Sequence, residues 1–117
     1  MKKLYKLEQL EELKSKYTKE VLQSIEETIT VLNENYGGES RNVDEDLGGY
    51  VILIDNEEEV NSIKSDILKT ILPEYTDEIK GDDGTKYYSS LFLLSSDYAV
   101  TIYYNKELHE LLLGKAL

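Results

Sequence analysis

Five consecutive apolar residues, Tyr50-Val51-Ile52-Leu53-Ile54, constrain this chain more than any other feature of its sequence. The run is rich in β-branched side chains, and its unbroken apolarity reads as a strand buried on both faces. Asp55 or Asn56 then caps a helix, and Glu57, Glu58 and Glu59 fill its first turn, where the macrodipole favours negative charge. Val60, Ile63, Ile67 and Ile71 form the stripe that this helix buries, and Pro73 stops it.

Upstream, residues 2–36 read as helix. Apolar side chains recur at Leu4, Leu7, Leu10, Leu13, Tyr17, Val21, Ile25, Ile29 and Leu32, with no Gly or Pro until Gly37-Gly38. One long or kinked helix of this length spans about 50 Å, more than the rest of the domain, so part of its stripe calls for a second copy of the chain. The alternative is a helical hairpin, with Ser15 to Thr18 capping its second helix. The unbroken phase of the stripe favours the single helix.

Downstream, Glu74–Lys80, Lys86–Leu94 and Tyr98–Tyr104 read as strands. They are joined by Gly81-Asp82-Asp83-Gly84 and Ser95-Ser96-Asp97, and Asn105 caps a short C-terminal helix. The expected class is α+β: an N-terminal helix or hairpin, a strand, a helix, a three-stranded antiparallel meander and a last helix. Residues 1–36 form the helical segment, 37–49 an acidic Gly-rich loop and 50–117 the α+β core, all within a single domain.

Charge narrows the function classes. Of 117 residues, 24 are acidic and 13 basic, and 13 of the acids against three Lys fall within residues 44–83. Such a surface repels phosphate backbones, so direct nucleic-acid binding is not expected, whereas basic protein patches are attracted. Solubility is the ordinary use of such charge. The chain has no Cys, and its longest apolar run is five residues, far below the roughly 20 that span a bilayer. A cytoplasmic protein that does not bind membranes is expected.

The chemical motifs are weak. Asp44, Asp46, Gly49 and Asp55 overlay part of a calcium loop, but Gly48 stands where an oxygen donor is needed, and an extended 50–54 carries Asp55 away. Asp82 and Asp83 sit between glycines, where turn chemistry explains them. His109, the one histidine, lacks the second His of a zincin motif and is expected on the exposed side of the last helix. No catalytic residue, cofactor or metal is therefore assigned. Tyr87, Tyr88, Tyr98, Tyr103 and Tyr104 concentrate in two neighbouring strands, so some are expected to face outward as an interaction surface, with Asp44, Glu45 and Asp46 of the loop as a second candidate. Cross-strand packing is the ordinary use of such tyrosines.

The stretch Asn35 to Val51, with its Arg41-Asn42-Val43-Asp44-Glu45-Asp46-Leu47-Gly48-Gly49-Tyr50-Val51, resembles a segment of small uncharacterised proteins of Gram-positive bacteria, their phages and mobile elements; so do Pro73-Glu74-Tyr75 and Leu94-Ser95-Ser96-Asp97-Tyr98. The resemblance implies a mobile-element setting and brings no activity or catalytic residue. The expected function is a small, acidic, non-enzymatic protein-interaction module, homodimeric through its N-terminal helix. The alternative is a DNA mimic that inhibits a nucleic-acid-binding host protein, and a carboxylate metal enzyme built on Asp44, Asp46 and Asp55 ranks third.

Overall fold

The computed structural model describes residues 3–36, 47–65 and 72–113. A short strand β1 (Lys3–Leu4) leads into a 3-10 helix (Leu7–Leu13) and then helix α1 (Lys19–Asn35). Strand β2 (Gly48–Leu53) is followed by helix α2 (Glu57–Ile63). Strands β3 (Tyr75–Lys80), β4 (Lys86–Ser95) and β5 (Tyr98–Asn105) come next. A 3-10 turn (Lys106–Leu108) and helix α3 (His109–Leu113) end the described chain.

The five strands form one mixed sheet in the order β1-β2-β5-β4-β3. The meander of β3, β4 and β5 is antiparallel as expected, but it is part of a larger sheet, because β2 pairs parallel to β5 and β1 pairs antiparallel to β2. In β2 and β5, successive side chains alternate between two cores. Tyr50, Ile52, Ile54, Tyr98, Val100, Ile102 and Tyr104 pack under α2 and the C-terminal turn and helix, against Val60, Ile63, Leu108 and Leu112. Val51, Ala99 and Tyr103 pack under α1 and the N-terminal segment, against Leu4, Leu10, Val21, Ile25, Ile29 and Leu32. The expected burial of the 50–54 run on both faces is thus realised, with a helical layer on each side of β2.

Residues 2–36 do not form one helix, contrary to the favoured expectation. Thr18 adopts extended backbone and accepts the Val21 amide as N-cap of α1, and Leu13 O accepts amides from Lys16 and Tyr17 in the turn before it. The stripe from Val21 to Leu32 is buried against the chain's own sheet. That removes the reason for expecting a dimer through this helix, since the stripe already has its partner. Of the two cap candidates at α2, Asn56 takes the role and accepts the Glu59 amide at 2.9 Å, and Asn105 caps the C-terminal turn as expected, accepting the Leu108 amide at 3.2 Å. Ile67 and Ile71 lie outside the described residues.

Two details seat α1. Gly49 and Ala99 stand opposite each other in β2 and β5, and the helix comes so close that a Cβ on Gly49 would lie 2.6 Å from Leu32 Cβ. The strand therefore starts inside the expected Gly-rich loop because small residues are needed under the helix. Further along β5 on the same face, beyond Thr101, the fully buried Tyr103 has its hydroxyl 2.7 Å from Ser24 Oγ and 2.8 Å from Thr28 Oγ1, one helical turn apart. Replacing Gly49 by Val is expected to destabilise the chain by about 3 kcal/mol through overpacking. Tyr103→Phe is expected to remove about 1 kcal/mol, because Ser24 and Thr28 can turn to their own helix carbonyls. Urea denaturation of the two variants beside wild type checks both the sizes and their order.

Candidate interaction surface

β5 is the central strand, so its tyrosines are covered from both sides. Tyr98, Tyr103 and Tyr104 are buried, which corrects the expectation of an outward tyrosine face on this strand. Tyr104 faces α3. Its hydroxyl lies 2.7 Å from Ser90 Oγ, which in turn lies 2.8 Å from Thr76 Oγ1, and 3.3 Å from His109 Nδ1. Burial raises the Tyr104 phenol above its ordinary value, and the Ser90 contact partly offsets this. The ring of Tyr98 meets Tyr50 edge-on at 6.1 Å, and the Lys3 ammonium sits 5.1 Å from its centroid.

Tyr87 and Tyr88, on β4, are half-buried on opposite faces. Tyr88 packs its ring on His109 at 4.5 Å and on Tyr104 at 5.9 Å. His109 is accordingly half-buried within an aromatic stack, not on the open side of the helix as expected. Tyr87 meets Tyr17 edge-on at 5.7 Å, and the Tyr17 hydroxyl donates to Asp55 at 3.0 Å. Burial first, then the Asp55 hydrogen bond and charge, drive the Tyr17 phenol far above its ordinary 10.0. Burial and the same carboxylate raise Tyr87.

Asp82, Asp83 and Glu78 each have a structural partner. Asp82 pairs with Lys19 at 2.9 Å, and Asp83 accepts the amide and hydroxyl of Thr85, which lower its pKa. Glu78 lies 3.7 Å from Lys86. Asp55 stands at the β2–α2 junction, at the far end of the strand from Gly48. Asp44, Glu45 and Asp46 lie outside the described residues. Among the described residues no group of three or more His, Asp or Glu is placed to hold a metal ion, and no helix is long and apolar enough to cross a membrane.

The surface that stands out is one the sequence reading missed. α1 crosses this face from the β3–β4 turn, where Lys19 pairs with Asp82 and Ile79 joins the core, to the start of β2, and it leaves Tyr75 of β3 and Leu93 of β4 exposed. A groove of about 240 Å³ runs between the helix and the outer strands, lined by Thr28, Val31, Leu32, Tyr75, Leu91 and Thr101, with Glu27 at its side. Val31 and Tyr75 are each 55% exposed and Leu93, beyond Leu91 on the same face, is 43% exposed. These are large apolar side chains gathered on one patch, which a monomeric surface rarely shows without a use. A signal was present in the sequence: Val31 falls outside the α1 stripe, and Leu91-Phe92-Leu93-Leu94 is apolar on both faces of its strand.

Comparison with protein-family models, with curated proteins and with solved structures gave no match.

The raised phenols set an alkaline limit. A phenol whose folded pKa lies above its unfolded 10.0 stabilises the fold fully below pH 10, and that contribution is lost as pH rises through the folded value. In an ultraviolet phenolate titration, Tyr17, Tyr87, Tyr103 and Tyr104 are expected to ionise above the ordinary phenol value, together with alkaline unfolding. Tyr17→Phe removes one of the late phenols. Ten tyrosines titrating together at the ordinary value would contradict the burial described above.

Proposed function

We propose that this chain is a non-enzymatic protein-interaction module whose partner seats on the groove between α1 and the outer strands. The observation that carries the proposal is the uncovered end of this sheet face: Val31, Tyr75 and Leu91 line an apolar groove with a carboxylate, Glu27, along its side, and Leu93 is exposed beyond Leu91. An apolar centre with a polar rim is the usual anatomy of a protein interface, and a tyrosine is a favoured anchor within it. The acidic character of the whole chain favours partners with a basic rim.

The DNA-mimic alternative ranks below this. It needs the acids of residues 44–83 to line one continuous face. The described ones are divided among the β2–α2 junction, the first turn of α2, the β3 strand with the residue before it, and the β3–β4 turn, and Asp82 and Glu78 each lie beside a lysine.

Affinity capture from a lysate of the source cells tests the proposal, run with wild type, with Val31→Lys/Tyr75→Lys, and with competitor DNA. Both substitutions are at exposed sites, so stability is expected to change by about 0.5 kcal/mol or less each. The expected result is a partner that wild type retains, the double variant loses and DNA leaves in place. A partner indifferent to the double substitution would remove the groove from the account, and one displaced by DNA would favour the mimic.

A further inference from the structure

We infer that the groove takes an extended, basic segment of its partner, which adds to the sheet as a sixth strand along β3. This rests on the interaction-module reading and gives it a binding mode and a partner chemistry.

The argument starts from the edge. Among the described residues β3 pairs with β4 on one side only and is the last strand of the sheet. The hairpin closes with the Gly81 amide on Thr85 O at 2.9 Å. Antiparallel pairing alternates from there, so Tyr75, Asp77 and Ile79 direct their main-chain groups to β4, while Thr76, Glu78 and Lys80 direct theirs outward. A row of outward donors and acceptors is a template for another strand. Here the template borders the apolar patch, since Tyr75 belongs to both β3 and the groove. A strand laid on this edge therefore gains main-chain hydrogen bonds from β3 and a seat for alternate side chains between Tyr75, Leu91 and Val31.

Charge selects the occupant. Asp77 and Glu78 lie in the middle of β3, one on each face, and Glu74 precedes the strand. Glu27 borders the groove, and Glu20 lies two helical turns before it on α1. The nearby described cations are Lys80, Lys86 beside Glu78, and Lys19, which pairs with Asp82 of the β3–β4 turn. A second copy of the chain fits poorly. When two copies join edge to edge about a twofold axis perpendicular to the sheet, residues of the same face meet, so the central registers set Asp77 against Asp77 or Glu78 against Glu78. A segment in which Lys or Arg alternates with β-branched apolar residues meets both the acids and the groove.

The probe is a synthetic alternating Val/Lys peptide of about eight residues, a typical strand length. Its binding to the full chain is followed by calorimetry at low salt beside two controls. One replaces Lys by Glu. The other carries N-methyl groups on alternate peptide nitrogens, in both phases, which removes main-chain donors and leaves the side chains unchanged. The Val/Lys peptide is expected to bind, with both controls weaker by about tenfold or more. Asp77→Lys/Glu78→Lys is expected to shift preference towards the Val/Glu peptide. Failure of the Val/Lys peptide to bind at millimolar concentration overturns the inference. So does equal binding of the N-methylated form, which rules out strand addition, or of the Val/Glu form, which rules out charge selection. If the peptides fail but capture still depends on Val31 and Tyr75, strand addition is wrong and the module reading stands; if both fail, both are lost.

Discussion

The architecture depends on how closely α1 lies on β2 and β5. That approach is set by Gly49, which leaves no room for a side chain beneath Leu32, and by Ala99 beside it. It is oriented by Tyr103, whose buried hydroxyl meets Ser24 and Thr28 on successive turns of the helix. Close van der Waals approach and a pair of buried hydrogen bonds act together, the first fixing distance and the second fixing rotation. Burying Val21, Ile25, Ile29 and Leu32 then supplies most of the energy on that face, about 1.5–3 kcal/mol for each side chain.

The same placement leaves the face unevenly covered. On the opposite side, α2 and the C-terminal turn and helix close over the sheet, and the Lys64 ammonium ties the two by donating to Leu111 O at 3.0 Å. On the α1 side, one helix about 10 Å wide cannot cover five strands spaced about 4.8 Å apart. The N-terminal segment helps at the β1 end, where Leu4 and Leu10 join the core. At the Tyr75 end of β3 no described element does so, and the open face there becomes the groove. Function is thus read from a shortage of cover, and the acids on the neighbouring edge give that shortage a preference for basic partners.

Local features were legible in the sequence wherever one residue type had one local task. Asn105 as a cap, a cap at Asp55 or Asn56, the Gly81–Gly84 turn and the strands β4 and β5 are of this kind. Long-range pairing was not. Nothing near Tyr50 announces that β2 lies parallel to β5, with two strands of the meander intervening in sequence. That pairing makes β5 central and buries the tyrosines that looked available. The N-terminal error has a clearer cause. Leu4, Leu7, Leu10 and Leu13 are spaced by three, while Tyr17, Val21, Ile25 and Ile29 are spaced by four. Averaged, the steps imitate one α-helix; taken apart, they mark a 3-10 segment followed by an α-helix.

Residue-resolved amide hydrogen exchange on the free chain tests the central claim most directly, because it asks whether the β3 edge is open in solution. The account predicts the slowest exchange in β5, from Val100 to Tyr104, and fast exchange at the outward amides of Thr76, Glu78 and Lys80. Protection at those three amides equal to that of β5 would mean that the edge is already covered, by a second copy or another part of the chain, and would contradict it.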